Sequence, residues 1–179
     1  MKLSRTIKAK RIKSMRMEKK LPVYNGGLGE NPCPTPPSLL HCLRNNVDKK
    51  TYEQADGIKD LQNIFLGKKL IVGNGLKPLL MLIQLAFHKM YPNGKIVHIL
   101  PSWVSYMEQT STLNIPSICL HTKAENMWRL SAGDIRSCFE TNNLKDVPHL
   151  IILNSPNNPT GYVYSKEEMK DFGELFEEY

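Results

Sequence analysis

From residue 69 onward the chain alternates between two rhythms. Short apolar runs are separated by longer stretches in which apolar side chains return every three or four positions. The runs Lys69–Gly73, Lys95–Leu100, Ser117–His121 and His149–Leu153 predict strands, and Leu76–Met90, Val104–Leu113, Ser131–Thr141 and Ser165–Glu178 predict helices. The run His149–Leu153 has no polar alternation, which suits a strand buried on both faces of a parallel sheet. Such regular alternation of strand and helix implies an α/β fold, a three-layer sandwich with a mostly parallel sheet. Leu76–Met90 is apolar nearly all round and is expected deep in the domain. Ser165 with Glu168 three residues on forms a capping box for the last helix.

Before residue 69 the signals are weaker. Tyr24–Pro37 is dense in Gly and Pro and reads as an ordered entry loop. Ser38–Asn46 predicts a short helix, Tyr52–Gly57 a turn and Ile58–Leu66 a second helix. No repeat is visible. The expected organisation is an arm over residues 1–22 and one domain over 23–179, a size and 41% hydrophobic content ordinary for a soluble globular chain. The longest nearly unbroken apolar stretch, Leu79–Phe87, is interrupted by Gln84 and too short to cross a bilayer, so no membrane partner is expected.

Charge changes the picture only at one end. The net +7 is concentrated in residues 1–20, which hold nine Lys or Arg against Glu18 alone, leaving 15 basic and 16 acidic residues in the remainder. That pattern predicts a solvated or locally helical arm with weak, non-specific affinity for anions, and no specific nucleic acid as partner. Cys33, Cys42, Cys119 and Cys138 show neither zinc spacing nor a disulfide framework, so reduced thiols and a cytoplasmic location are expected. A mitochondrial presequence in the arm is the minor alternative, disfavoured because Lys outnumbers Arg there.

The densest chemistry lies at Leu150-Ile-Ile-Leu-Asn-Ser-Pro-Asn-Asn-Pro-Thr-Gly161, an apolar strand that stops in a turn. Ligands of parallel sheets bind beyond the carboxyl ends of strands. Pro156 and Pro159 fix their own φ and bias Ser155 and Asn158 towards extended geometry, so the Asn158 carboxamide is aimed in advance, and Gly161 supplies the positive φ that closes the turn. Ile71-Val-Gly-Asn-Gly-Leu-Lys-Pro78 runs from a strand through glycines into a helix, the geometry of an anion site. Pro101-Ser-Trp-Val-Ser-Tyr106 places an aromatic ring at another strand end, where it can stack on a flat heteroaromatic.

Together these elements resemble the class I/II aminotransferases, pyridoxal-phosphate enzymes of fold type I. The string Asn-Ser-Pro-Asn-Asn-Pro-Thr-Gly is similar to the family signature, and Pro101-Ser-Trp-Val-Ser-Tyr106 to its Pro-x-Trp-Val-x-Tyr segment. The resemblance implies pyridoxal 5'-phosphate as cofactor, with Asn158 on its phenolic oxygen, Trp103 over its ring, and Gly75, Leu76 and Lys77 around its phosphate. Leu76 departs from the small or hydroxylated residue usual there. Tyr52, with Gly57 five residues on, is similar to a family Tyr that reaches the cofactor phosphate of a partner subunit. Gly29, in Leu28-Gly29-Glu30, matches a Gly against the substrate carboxylate. The implied substrates are amino acids and 2-oxo acids, and the implied assembly a homodimer.

The family's Schiff-base lysine, the carboxylate at the pyridine nitrogen and the substrate-binding arginine all follow the Asn-Pro-Thr-Gly turn. The resemblance therefore covers the amino-terminal half of such an enzyme, an incomplete large domain. Lys166 and Lys170 follow the turn, but no Ser-x-x-Lys occurs in the sequence. No catalytic residue is assigned, and the expectation is a truncated or split aminotransferase, inactive alone, with the lysine half either missing or supplied by a partner chain. A non-catalytic remnant or partner of a full-length relative is the first alternative. The second is an S-adenosylmethionine-dependent methyltransferase, disfavoured because Lys95–Leu100 ends without a ribose-binding acid and no aromatic follows Pro156 in the place an Asn-Pro-Pro-aromatic catalytic loop requires.

Overall fold

The computed structural model describes residues 5–24, 29, 31–52, 58–64 and 70–179. The chain divides into two compact units, residues 1–67 and 68–179. Among the described residues the first holds three helices, α1 (Arg5–Glu18), α2 (Pro37–Arg44) and α3 (Lys59–Ile64). The basic arm is thus helical over most of its length. Pro37 opens α2, where a missing N–H removes no intrahelical bond. Within the expected turn Tyr52–Gly57, residues 53–57 lie outside the described residues, as do residues 65 and 66 of the expected second helix.

In the second unit, strands β1 (Lys95–Leu100), β2 (Ser117–His121) and β3 (His149–Ile152) form one parallel sheet in the order β2-β1-β3. Ile96 pairs with Ser117 on one side, and Lys95 with His149 on the other. Helices α4 (Leu76–Met90), α5 (Val104–Thr112), α6 (Ala132–Thr141) and α7 (Lys166–Phe176) supply the outer layers. Side chains alternate across β1. Val97 and Ile99 join Leu120, Leu130, Ile135, Phe139, Phe172 and Leu175 in a closed apolar core beneath α6 and α7. His98 faces the other way, its Nε2 3.1 Å from Thr110 Oγ1 on α5.

Local chemistry explains where α6 and α7 begin. Ser131 and Asp134 form a full capping box for α6, and Ser165 and Glu168 one for α7. Glu168 is also the centre of a tertiary tie. Its Oε1 accepts from the Tyr162 hydroxyl and from Arg129 Nε, both at 2.7 Å, and the Ser165 backbone N–H holds its carboxyl below the usual range. Burial pushes the Tyr164 phenol up to about 12, so it stays protonated against Phe172, 5.5 Å away ring to ring.

Three expectations fail. No strand forms over residues 70–73, and Lys69 lies outside the described residues; among the described residues the sheet consists of β1, β2 and β3, and an apolar run becomes a strand only where it joins such a ladder. The helix α4 does not lie deep. Gln84 is its only buried residue, while Leu76, Leu82, Ile83 and Met90 are exposed, because an apolar surface is buried only where another layer covers it. The strand β3 is half-buried along its length rather than sealed on both faces, since it forms an edge of the sheet and β1 occupies the centre.

Candidate functional site

Three loops meet at one end of the second unit. The first follows β1, where Pro101 and Ser102 lead to Trp103. The second is the turn Asn154–Gly161 after β3. They are joined across 56 residues of sequence by Asn157, whose Nδ2 donates to Pro101 O at 3.0 Å and to Thr160 Oγ1 at 2.8 Å. The third is the glycine loop before α4: Lys77 Nζ stands over the Trp103 ring, 5.4 Å from its centroid, a cation-π contact. The start of α4 is fixed from α5 as well. Gln109 Nε2 donates to Lys77 O, and Gln84 Nε2 donates to Gln109 Oε1, each at 2.8 Å.

Within the turn the two neighbouring asparagines take different roles. Asn157 is half-buried and structural: besides its side-chain bonds, its N–H donates to Tyr162 O and its carbonyl accepts from Gly161 N–H. The side chain of Asn158 is exposed and has no partner among the described residues, while its backbone N–H donates to Asn154 Oδ1 at 3.0 Å. That leaves the Asn158 carboxamide available to a ligand. Gly161 has φ +75°, as the closing turn requires. The bonds preceding Pro101, Pro156 and Pro159 are all cis.

The glycine loop differs from expectation in one respect. Gly75, with φ +99°, donates its N–H to Gly73 O at 2.7 Å, so that amide is already engaged. Pro78 has none. The free donors of the first turn of α4 are therefore Leu76 N–H and Lys77 N–H, which have no partner among the described residues, reinforced by the helix dipole and the Lys77 ammonium. Trp103 is half-buried and packs edge-on against Tyr106, ring centroids 5.5 Å apart. Beside it the Ser102 hydroxyl is buried and without a hydrogen-bond partner among the described residues. An orphaned buried hydroxyl is costly enough that a polar ligand there is favoured.

Of the residues singled out from sequence, the structure brings Lys77 and Trp103 into contact, and Asn157 ties the turn carrying Asn158 to the loop carrying Trp103. Gly75 and Leu76 immediately precede Lys77. Tyr52 and Gly29 belong to the first unit, where Tyr52 is fully exposed and nothing lies within 4 Å of a Cβ at Gly29. Lys166 and Lys170 are exposed on α7, with Lys170 Nζ 3.4 Å from Glu174. Asn157, Ser102 and the Lys77 side chain were missed. For Asn157 the available signal was two adjacent carboxamides in one tight turn, which divide buried and exposed roles.

Comparison with known proteins fits this arrangement. An aspartate aminotransferase of Bacillus sp. (strain YM-2) is 26% identical over 97% of this chain, and a probable aspartate/prephenate aminotransferase of Aquifex aeolicus is 29% identical over 97%. The chain spans 45% of the length of each. The crystal structure of the aspartate aminotransferase from Rhizobium meliloti shares the fold, with a TM-score of 0.79 at 19% identity over 98% of this chain and 46% of its own. The profile of the family "Aminotransferase class I and II" matches residues 45–179, three quarters of the sequence. The chain therefore belongs to the class I and II aminotransferases.

Proposed function

We propose that these residues form the cofactor-binding half of a pyridoxal-phosphate-dependent aminotransferase acting on amino acids and 2-oxo acids. The observation that carries the reading is the joining of the turn after β3, the loop after β1 and the start of α4 around Trp103. The residues present fit a flat, phosphorylated ring. Trp103 offers an aromatic face, Ser102 an orphaned hydroxyl, Asn158 a free carboxamide, and Leu76 and Lys77 two amide donors at a positive helix end.

When bound, pyridoxal phosphate supplies an electron sink for carbanion chemistry. The chain's own residues would bind and orient it. Trp103 would set the ring plane, Asn158 would donate to a ring oxygen, and the Leu76 and Lys77 N–H groups would hold the phosphate. Proton transfer at the substrate carbon requires a basic side chain beside that carbon. Lys166 and Lys170 are exposed on α7, so that base is read as coming from outside these 179 residues, from further sequence or another chain. Tyr52 and Gly29 are read as contributing to a phosphate and a substrate carboxylate in the completed dimer.

Titrating a Trp128→Phe chain with pyridoxal phosphate tests this through Trp103 fluorescence. The expected result is saturable quenching, at least tenfold weaker with pyridoxal, which lacks the phosphate, and weakened again by Asn158→Ala. Borohydride treatment should leave no adduct on any lysine of the chain. Equal quenching by both compounds, or a fixed adduct on Lys166 or Lys170, would overturn the reading.

A further inference from the structure

The helix α1 is a second candidate interaction site, independent of the three loops. Lys8, Lys10, Arg11, Lys13 and Arg16 lie on it, and Lys19 and Lys20 follow directly. All seven are exposed. Glu18 is the only acid nearby in sequence, and among the described residues no ion pair involves α1. Arg16 Nε reaches only a backbone oxygen, Pro22 O, at 3.0 Å.

The spacing is unfavourable for a helix in isolation. Lys8 and Arg11, Lys10 and Lys13, and Lys13 and Arg16 are like-charged pairs three residues apart, each costing about 0.2–0.5 kcal/mol. A polyanion would remove that cost. By contrast, residues 68–179 hold 11 basic and 11 acidic residues, so the excess charge is local to this segment.

The distribution around the axis decides what kind of anion fits. At about 100° per residue the cations fall on every side of the helix. Ile7, Ile12, Met15 and Met17, all exposed, are interleaved with them instead of sharing a face. A helix that lies in a lipid surface needs one continuous apolar face, which α1 lacks. A phosphodiester backbone needs only closely spaced cations. The helix is about 21 Å long, over which a duplex presents one negative charge per roughly 1.7 Å.

We propose that α1 is a sequence-independent docking helix for a nucleic-acid backbone. The full chain is titrated into labelled random-sequence oligonucleotides, single-stranded and duplex, between about 50 and 200 mM salt. The expected loss of affinity across that range is about a hundredfold, the signature of roughly four phosphate contacts. The variant K8Q/K10Q/K13Q retains helix-favouring residues. It should bind at least tenfold more weakly at the lowest salt, with a visibly shallower salt dependence. Affinity that is indifferent to salt in the unsubstituted chain would overturn the proposal, even if the variant does not fold. So would unchanged binding by a folded variant, or binding to phosphatidylserine vesicles with none to either oligonucleotide.

Discussion

On the α6/α7 side of the sheet, Leu130, Ile135, Phe139, Phe172 and Leu175 are each no more than 2% exposed, whereas along α4, on the other side, Leu76, Leu82, Ile83 and Met90 are between 51% and 70% exposed. The two sides also differ in polar chemistry. Near α6 and α7, Glu168 collects Tyr162, Arg129 and the Ser165 cap, while towards α4 and α5 the buried Gln84 Oε1, His98 Nδ1 and Ser102 Oγ lack partners among the described residues. A layer that satisfies its own apolar and polar groups sustains the fold. A layer that does not is where further structure or a ligand belongs, and it is this second side that carries Lys77 and Trp103.

The largest expected effect tests the finished side. Phe139 is fully buried, with ring contacts to His149 at 4.5 Å and Tyr179 at 4.9 Å between centroids. Phe139→Ala removes that ring and leaves a cavity, so denaturant unfolding should show a loss of about 3–5 kcal/mol. A loss below about 1 kcal/mol would mean that this core does not carry the fold.

A smaller effect is expected at Glu168, where one carboxylate serves a helix cap, a phenol and an arginine. Glu168→Ala should cost about 1–2 kcal/mol near neutral pH. Because its folded pKa lies below the ordinary 4.5, the stability it contributes is complete above that value and disappears as pH falls through the depressed one. The unsubstituted chain should therefore lose stability in that acidic window, and the variant should lose less. Parallel acid profiles for the two would show that the carboxylate is not preferentially ionised in the fold.

Legibility from sequence follows the same division. The strands β1 and β2 were read to the residue, and the Ser165 cap to the atom, because continuous apolar runs and capping spacings are local signals. Trp103 and Asn158 were legible from short motifs at strand ends. The exposure of α4 was not. Periodicity shows how much of a helix is apolar but not whether anything covers it, so an all-round apolar helix was read as deep. The same blindness affected residues 70–73 and β3, whose pairing depends on neighbours that local sequence does not name. Asn157 and the Lys77–Trp103 contact span 56 and 26 positions, so only the folded sheet brings the partners together.

The smallest expected effect is the most informative about the unfinished side. Ile83 lies on the exposed face of α4, and Ile83→Gln replaces an apolar side chain with one of good helix propensity. If α4 faces water in the isolated chain, denaturant unfolding should shift by no more than about 0.5 kcal/mol, the range of ordinary surface changes. Self-association measured by light scattering should fall, because exposed apolar patches of this kind drive association. A loss of about 2 kcal/mol, typical of buried apolar side chains, would mean that α4 is covered in solution. The contrast between the two sides would then not hold for the chain in solution.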